Sequence, residues 1–281
     1  MKAAGFAKVN LALRVSSVGP DGFHPLRGLF QSVTWADAVA LEPADEDEVS
    51  VGEGAAPTDE SNLAWQALLA VRSAVDASDP MRVELHKTIP TGAGLGGGSA
   101  DAAAVLALAG RRYGVDGESL VDLAAPLGAD VPFAFIGGSA LITGRGDVVH
   151  SLPPIAGFAL AVVVPPVELS TPSVYRAWDE LGEPQGPAVA AAELPPALRG
   201  YAPLGNDLYP AAAHLSPQLD DWRDELAGRW GTPVAMTGSG SGLFGYFSTL
   251  DEAAGATAAI PVGARAAEAV EPTATGWALL D

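Results

Sequence analysis

Apolar and polar residues alternate almost from the start of the chain. Phe6 to Val15 reads Phe-Ala-Lys-Val-Asn-Leu-Ala-Leu-Arg-Val, which has the two-residue period of a strand. Val9, Leu11, Leu13 and Val15 fall on one face, and Lys8, Asn10, Ala12 and Arg14 on the other. Periodicity alone reads this as an amphipathic strand with a wet face, on which Lys8 and Asn10 look into the same space. Asp21-Gly22-Phe23-His24-Pro25 is a turn signal, followed by strand-like sequence from Gly28 to Val33. Residues 42–60 are densely acidic, contain neither Lys nor Arg, and predict a solvated hairpin or loop. A helix is expected from Ser61, with Leu63, Leu68, Leu69, Arg72 and Val75 at helical spacing and Asn62 and Trp65 in cap or core roles. Met81 to Ile89 alternates again.

That strand runs into Pro90-Thr91-Gly92-Ala93-Gly94-Leu95-Gly96-Gly97-Gly98-Ser99-Ala100 and then an Ala/Leu-rich helix ending near residue 113. Ser99 reads as its cap and Asp101 as a first-turn acid. A loop this poor in side chains lets a ligand lie on backbone N–H groups. A helix N-terminus behind it adds free donors and the positive end of a dipole, so the combination predicts a phosphate site. Gly92-x-Gly94-x-x-Gly97 also matches the dinucleotide fingerprint, but it lies near residue 90 rather than at the start of a βαβ unit, Pro90 interrupts the approach, and no Asp or Glu ends a clear second strand about twenty residues on. A Walker A loop is excluded because no lysine follows Lys87.

Farther along, Glu118 to Leu127 predicts a short helix stopped at Gly128. Asp130 follows among Ala129, Val131, Pro132 and Phe133; an acid in such company either caps the next turn or is held for chemistry. Ala140–Thr143 and Val148–Leu152 predict a hairpin around Gly144-Arg-Gly-Asp. Composition shifts at Pro153-Pro154, dividing the chain into expected lobes 1–152 and 153–281. In the second, Phe158–Val164 reads as a buried strand, and Thr171-Pro opens a helix that carries Tyr175. Residues 182–205 read as irregular, with helical segments headed by Asn206-Asp207-Leu208 and spanning 217–229. Val234–Phe247 is strand, second glycine loop, strand. A helix over 251–259 and one last strand are expected to complete the chain. Two glycine loops predict a cleft with a backbone lip from each lobe.

The bulk numbers narrow the chemistry. At 281 residues and 48% hydrophobic content the chain can bury a large core. A formal charge of −19 argues against nucleic acid and anionic membranes as partners, while leaving room for an anionic small substrate where a few cations are concentrated in a cleft. Without cysteine there is no thiolate site, and the start Met-Lys-Ala-Ala-Gly-Phe-Ala-Lys has no apolar signal core, so a cytoplasmic setting is expected.

Three stretches together resemble the motifs of the GHMP-type small-molecule kinases, in order: Ala7-Lys-Val-Asn10-Leu, Pro90-x-x-x-Gly94-Leu-Gly-Gly-Gly-Ser99, and Met236-Thr-Gly-Ser-Gly-Ser-Gly-Leu-Phe. Asp-Gly-Phe-His, Gly128-Ala-Asp-Val-Pro-Phe and Thr171-Pro make the branch acting on a cytidine diphosphate derivative of methylerythritol the most similar. The resemblance implies an α+β, two-lobed GHMP kinase fold, with an N-terminal lobe like ribosomal protein S5 domain 2 and a ferredoxin-like C-terminal lobe. It implies transfer of the ATP γ-phosphoryl, with Mg²⁺, to the 2-hydroxyl of that substrate. It assigns Asp130 as catalytic base, Lys8 as its cationic neighbour and Asn10 as a positioning group. Residues 90–100 would bind ATP, His24 would read the cytosine edge, and Phe23 and Tyr175 would sandwich the base. Phe23 stands where relatives commonly have tyrosine, and Ala100-Asp101 where many have Ser-Asn, which leaves the metal ligands unassigned.

Overall fold

A computed structural model describes residues 1–281. The first two strands are long: β1 (Lys2–Val15) and β2 (Leu26–Pro43) pair antiparallel, with register shifts between Phe6 and Lys8 and between Asn10 and Ala12. These irregularities flank Lys8 and Asn10, the two residues whose side chains matter below. One end of β2 pairs with β4 (Met81–His86) and the other with β5 (Ser139–Thr143), which forms the expected hairpin with β6 (Val148–Ser151). The acidic stretch is not all loop: Glu48–Glu53 forms β3, an edge strand parallel to β4. Its charges suit an edge, since they discourage pairing with another chain.

Helices cover this sheet. Asn62 caps α1 (Leu63–Ala74), accepting from the Ala64 and Trp65 N–H groups. Its buried face is Ala64, Trp65, Ala67, Leu68, Val71 and Arg72, whereas Leu69 and Val75, expected on the apolar stripe, are exposed. Behind it, α2 (Gly97–Tyr113) is buried continuously from Ala100 to Gly110, which the small side chains of its Ala-rich sequence permit. Two shorter helices, α3 (Gly117–Ala124) and α4 (Val131–Ile136), follow, and Gly128 lies between them.

A second sheet, ordered β10-β11-β7-β12, is antiparallel throughout and comprises β7 (Ala159–Val164), β10 (Val234–Met236), β11 (Leu243–Phe247) and β12 (Ala266–Val270). It carries α5 (Thr171–Glu180), α6 (Tyr209–Leu215), α7 (Gln218–Trp230) and α8 (Leu250–Thr257); β8 (Ala188–Val189) and β9 (Leu204–Gly205) make a small ribbon in the irregular region. Val9 and Leu11 of β1, Leu95 of the glycine loop, Leu160 and Val162 of β7 and Phe244 of β11 belong to one continuous apolar core joining the sheets. The tail holds two strands rather than one. The second, β13 (Trp277–Leu280), returns to pair with β1, so residues 153–281 do not all lie in the second lobe. Glycine permits this close return: a Cβ at Gly276 would sit 1.8 Å from the Ala134 carbonyl oxygen. No helix is long and apolar enough to cross a membrane.

Candidate active site

The face of β1 that periodicity made wet is covered. Lys8 and Asn10 are both buried, because the opposite face packs into the inter-sheet core while this one looks towards the glycine loop. The Lys8 N–H donates to the Leu95 carbonyl at 2.9 Å, and its Nζ donates to Asn10 Oδ1 at 2.6 Å. The same ammonium lies 3.4 Å from Asp130 Oδ2 and 5.0 Å from the Phe30 ring centroid. Asp130 occupies the N-cap position of α4, yet its side chain caps nothing. Of the two roles open to it, capping is excluded. It is a third exposed, 33% against 8% for Lys8, so the carboxylate faces the cleft with the ammonium behind it.

Loop 90–100 reaches this pair through its backbone. Gly92, Gly94 and Gly96 all have positive φ, at 68°, 71° and 70°. Gly94 is the most constrained: a Cβ there would lie 2.2 Å from the Thr237 carbonyl oxygen. Ser99 is not the helix cap. The N-cap is Gly96 in the left-handed region, and α2 begins at Gly97. With no capping side chain, the first-turn N–H groups are left for a ligand. The two glycine loops meet at Thr237, whose buried Oγ1 accepts from the Asn10 N–H and lies 3.1 Å from both Asn10 Oδ1 and the Gly94 carbonyl oxygen. Asn206 donates to the Met236 and Gly238 carbonyls at 2.8 Å, fixing the second loop.

One cleft of about 1040 Å³ opens against these groups. Lys8, Asn10, Gly92, Gly94, Gly96, Ser99 and Asp130 lie on its walls, as do Phe23, His24 and Tyr175. Pro90, Thr91, Ala93, Leu95, Gly97, Gly98 and Ala100 do not; Ala93, Leu95 and Ala100 are buried behind the loop. At the far wall, His24 Nε2 is 2.8 Å from Asp179 Oδ1, and its ring packs 5.1 Å from Tyr175 and 5.7 Å from Trp178. Tyr175 is pushed up to about 12, by burial first and then by the negative charge of Asp130, so its phenol stays neutral. Phe23 is exposed and stacks under Arg145, whose guanidinium lies 4.1 Å from the ring centroid and pairs with Asp21 at 2.9 Å. Thus Tyr175 meets His24 and Phe23 meets Arg145, rather than each other.

Thr237, Asp179 and Arg145 line or brace the site without having been singled out from sequence. Thr237 lies inside the third motif, the one signal that pointed to it. The others depend on contacts between segments more than a hundred residues apart.

The GHMP kinase N-terminal domain model matches residues 62–138, which span the loop and Asp130. A 4-diphosphocytidyl-2-C-methyl-D-erythritol kinase of Streptomyces avermitilis is 39% identical over 260 residues, covering 87% of this chain and 86% of that protein. The chain belongs to the GHMP kinase family. The Nocardia farcinica enzyme of the same name is 39% identical and covers 96% of this chain and 92% of its own. A crystal structure of 4-(cytidine 5′-diphospho)-2C-methyl-D-erythritol kinase superposes with a TM-score of 0.81 at 35% identity, covering 97% of this chain and 99% of that one. The fold of this GHMP kinase is therefore the mixed helix-and-sheet fold of the family, and its activity is that of an ATP-using kinase.

Proposed function

We propose that this GHMP kinase transfers the γ-phosphoryl of ATP to the 2-hydroxyl of 4-diphosphocytidyl-2-C-methyl-D-erythritol, a step of non-mevalonate isoprenoid precursor synthesis. The observation that carries this reading is the Lys8–Asp130 pair, 3.4 Å apart, in a single cleft bounded by the glycine loop and by the His24–Tyr175 cluster. The triphosphate lies along Gly92, Gly94 and Gly96 with its anionic end at the start of α2. The acceptor hydroxyl lies against Asp130. As the new bond from acceptor oxygen to phosphorus forms, the bond from phosphorus to the ADP oxygen breaks and the hydroxyl proton passes to the Asp130 carboxylate. Lys8, held by Asn10, offers a cation beside the reacting groups at no cost in reorganisation.

Among the groups facing the cleft, the Ser99 hydroxyl is a hard oxygen donor suited to Mg²⁺, which takes few protein ligands when phosphates supply the rest. Asp101 does not fit, because its carboxylate is buried against Lys87. When bound, the ion would neutralise charge on the phosphates. His24, Tyr175 and Phe23 form the polar and aromatic wall for the cytosine. ADP release assayed with the cytidylated substrate, mevalonate and homoserine tests the reading: turnover with the first alone is expected, and equal or better turnover of either other alcohol overturns it.

A further inference from the structure

Behind the glycine loop, outside the cleft, three charged side chains meet in the interior. Lys87 Nζ donates to Asp37 and, at 2.5 Å, to Asp101 Oδ2, and all three residues are buried. Asp37 also accepts from the N–H groups of Thr88 and Ile89 at 2.6 and 2.9 Å. Those two residues immediately precede the loop, and Asp101 follows it in α2. One ammonium therefore joins the entry strand, the neighbouring strand β2 and the outgoing helix. It grips the loop on both sides of residues 90–100 without touching anything in the cleft.

An apolar cluster would hold these segments at less desolvation cost than a buried ammonium between two carboxylates. Apolar packing fixes no direction, however, whereas these hydrogen bonds set the separation and rotation of the two loop ends. Contacts next to Lys87 are also tight: a Cβ on Gly97 would lie 3.0 Å from Ile89 Cγ2 and 3.4 Å from Lys87 Nζ. Gly97, the first residue of α2, thus packs closely on Ile89, whose N–H is held by Asp37.

We propose that Lys87, through Asp37 and Asp101, is a positioning residue that clamps both ends of the glycine loop and so sets its fit to the nucleotide phosphates. This rests on the reading of residues 90–100 as the phosphate loop. Lys87→Met leaves two buried carboxylates without a cation and risks unfolding. Asp101→Ala leaves the balanced Lys87–Asp37 pair and is the deciding variant. Its Michaelis constant for ATP is expected to rise at least about tenfold, since small displacements of positioning groups are costly, while that for the acceptor stays within about twofold. Asp101→Asn, whose amide oxygen can still accept from Lys87, is expected to recover most of the loss. An unchanged ATP constant in Asp101→Ala overturns the clamp, and so does a parallel rise in both constants that Asp101→Asn does not recover. Ser99→Glu separates the clamp from the loop reading, because Ser99 lines the cleft in the first turn of α2 and a carboxylate there would repel a phosphate. An unchanged ATP constant in Ser99→Glu removes the phosphate loop itself. A raised constant there with an unchanged one in Asp101→Ala removes the clamp alone.

Discussion

His24 illustrates how little a residue type says before its neighbours are known. In the turn Asp21–Pro25 it reads as an ordinary surface histidine. In the fold its ring packs against Tyr175 and Trp178, and Asp179 holds one nitrogen at 2.8 Å, which sets the orientation of the ring. Replacing it removes a polar group from the proposed cytosine wall and releases Asp179. His24→Ala is expected to weaken the cytidylated acceptor by about 1–3 kcal/mol, the range for leaving a buried partner unpaired, with the ATP constant unchanged. Equal acceptor Michaelis constants for variant and parent would show that the cytosine binds elsewhere. Asp179 itself was not legible: it lies 155 positions from His24, and helix α5 gives a surface acid no distinguishing pattern.

At the scale of elements, alternation and glycine punctuation located most strands and helices, because those signals are local. They failed where a partner from elsewhere in the chain decides the outcome. Period two cannot reveal that the Lys8 face of β1 is roofed by the loop, nor that residues 48–53 of the acidic stretch gain a parallel neighbour in β4. Ser99 looked like a cap because serine caps helices well, yet the left-handed turn at Gly96 starts α2 earlier.

Two joints between elements make testable claims. Thr237 bonds β1 and lies against the first glycine loop through a buried hydroxyl, so Thr237→Val, nearly the same shape, should destabilise the fold by about 1–3 kcal/mol in urea titrations. No change in the midpoint would mean those hydrogen bonds contribute nothing net. The second joint is Asp101, whose carboxyl is raised from 3.8 to about 7, by burial first and with Asp37 adding to it, against the opposing charge of Lys87. Because the folded value lies above the unfolded one, the native state holds the proton more tightly. This contribution is full below the unfolded value and is lost as pH rises through about 7. Relative to Asp101→Asn, which does not titrate, the parent should lose stability between about pH 4 and pH 8 in urea midpoints. A pH-independent difference would contradict the shift.

Across the whole molecule, three short motifs carried the site, since each brings its own backbone geometry and their order matches that of a family. The architecture joining them was less readable. β13 crosses back to β1 because of Gly137, Gly276 and a stack of Trp277 on Phe135, at 6.2 Å, none of which a linear pattern reveals. The cleft is lined from both sides of residue 152. That cleft is also where a strongly acidic chain concentrates a buried cation: of lysines 2, 8 and 87, Lys8 alone lines it. Initial-rate kinetics of Asp130→Asn with ATP and the cytidylated substrate test this arrangement most directly. A fall in kcat of at least about 10²-fold is expected, with the ATP Michaelis constant nearly unchanged. Turnover at the parental rate would contradict it.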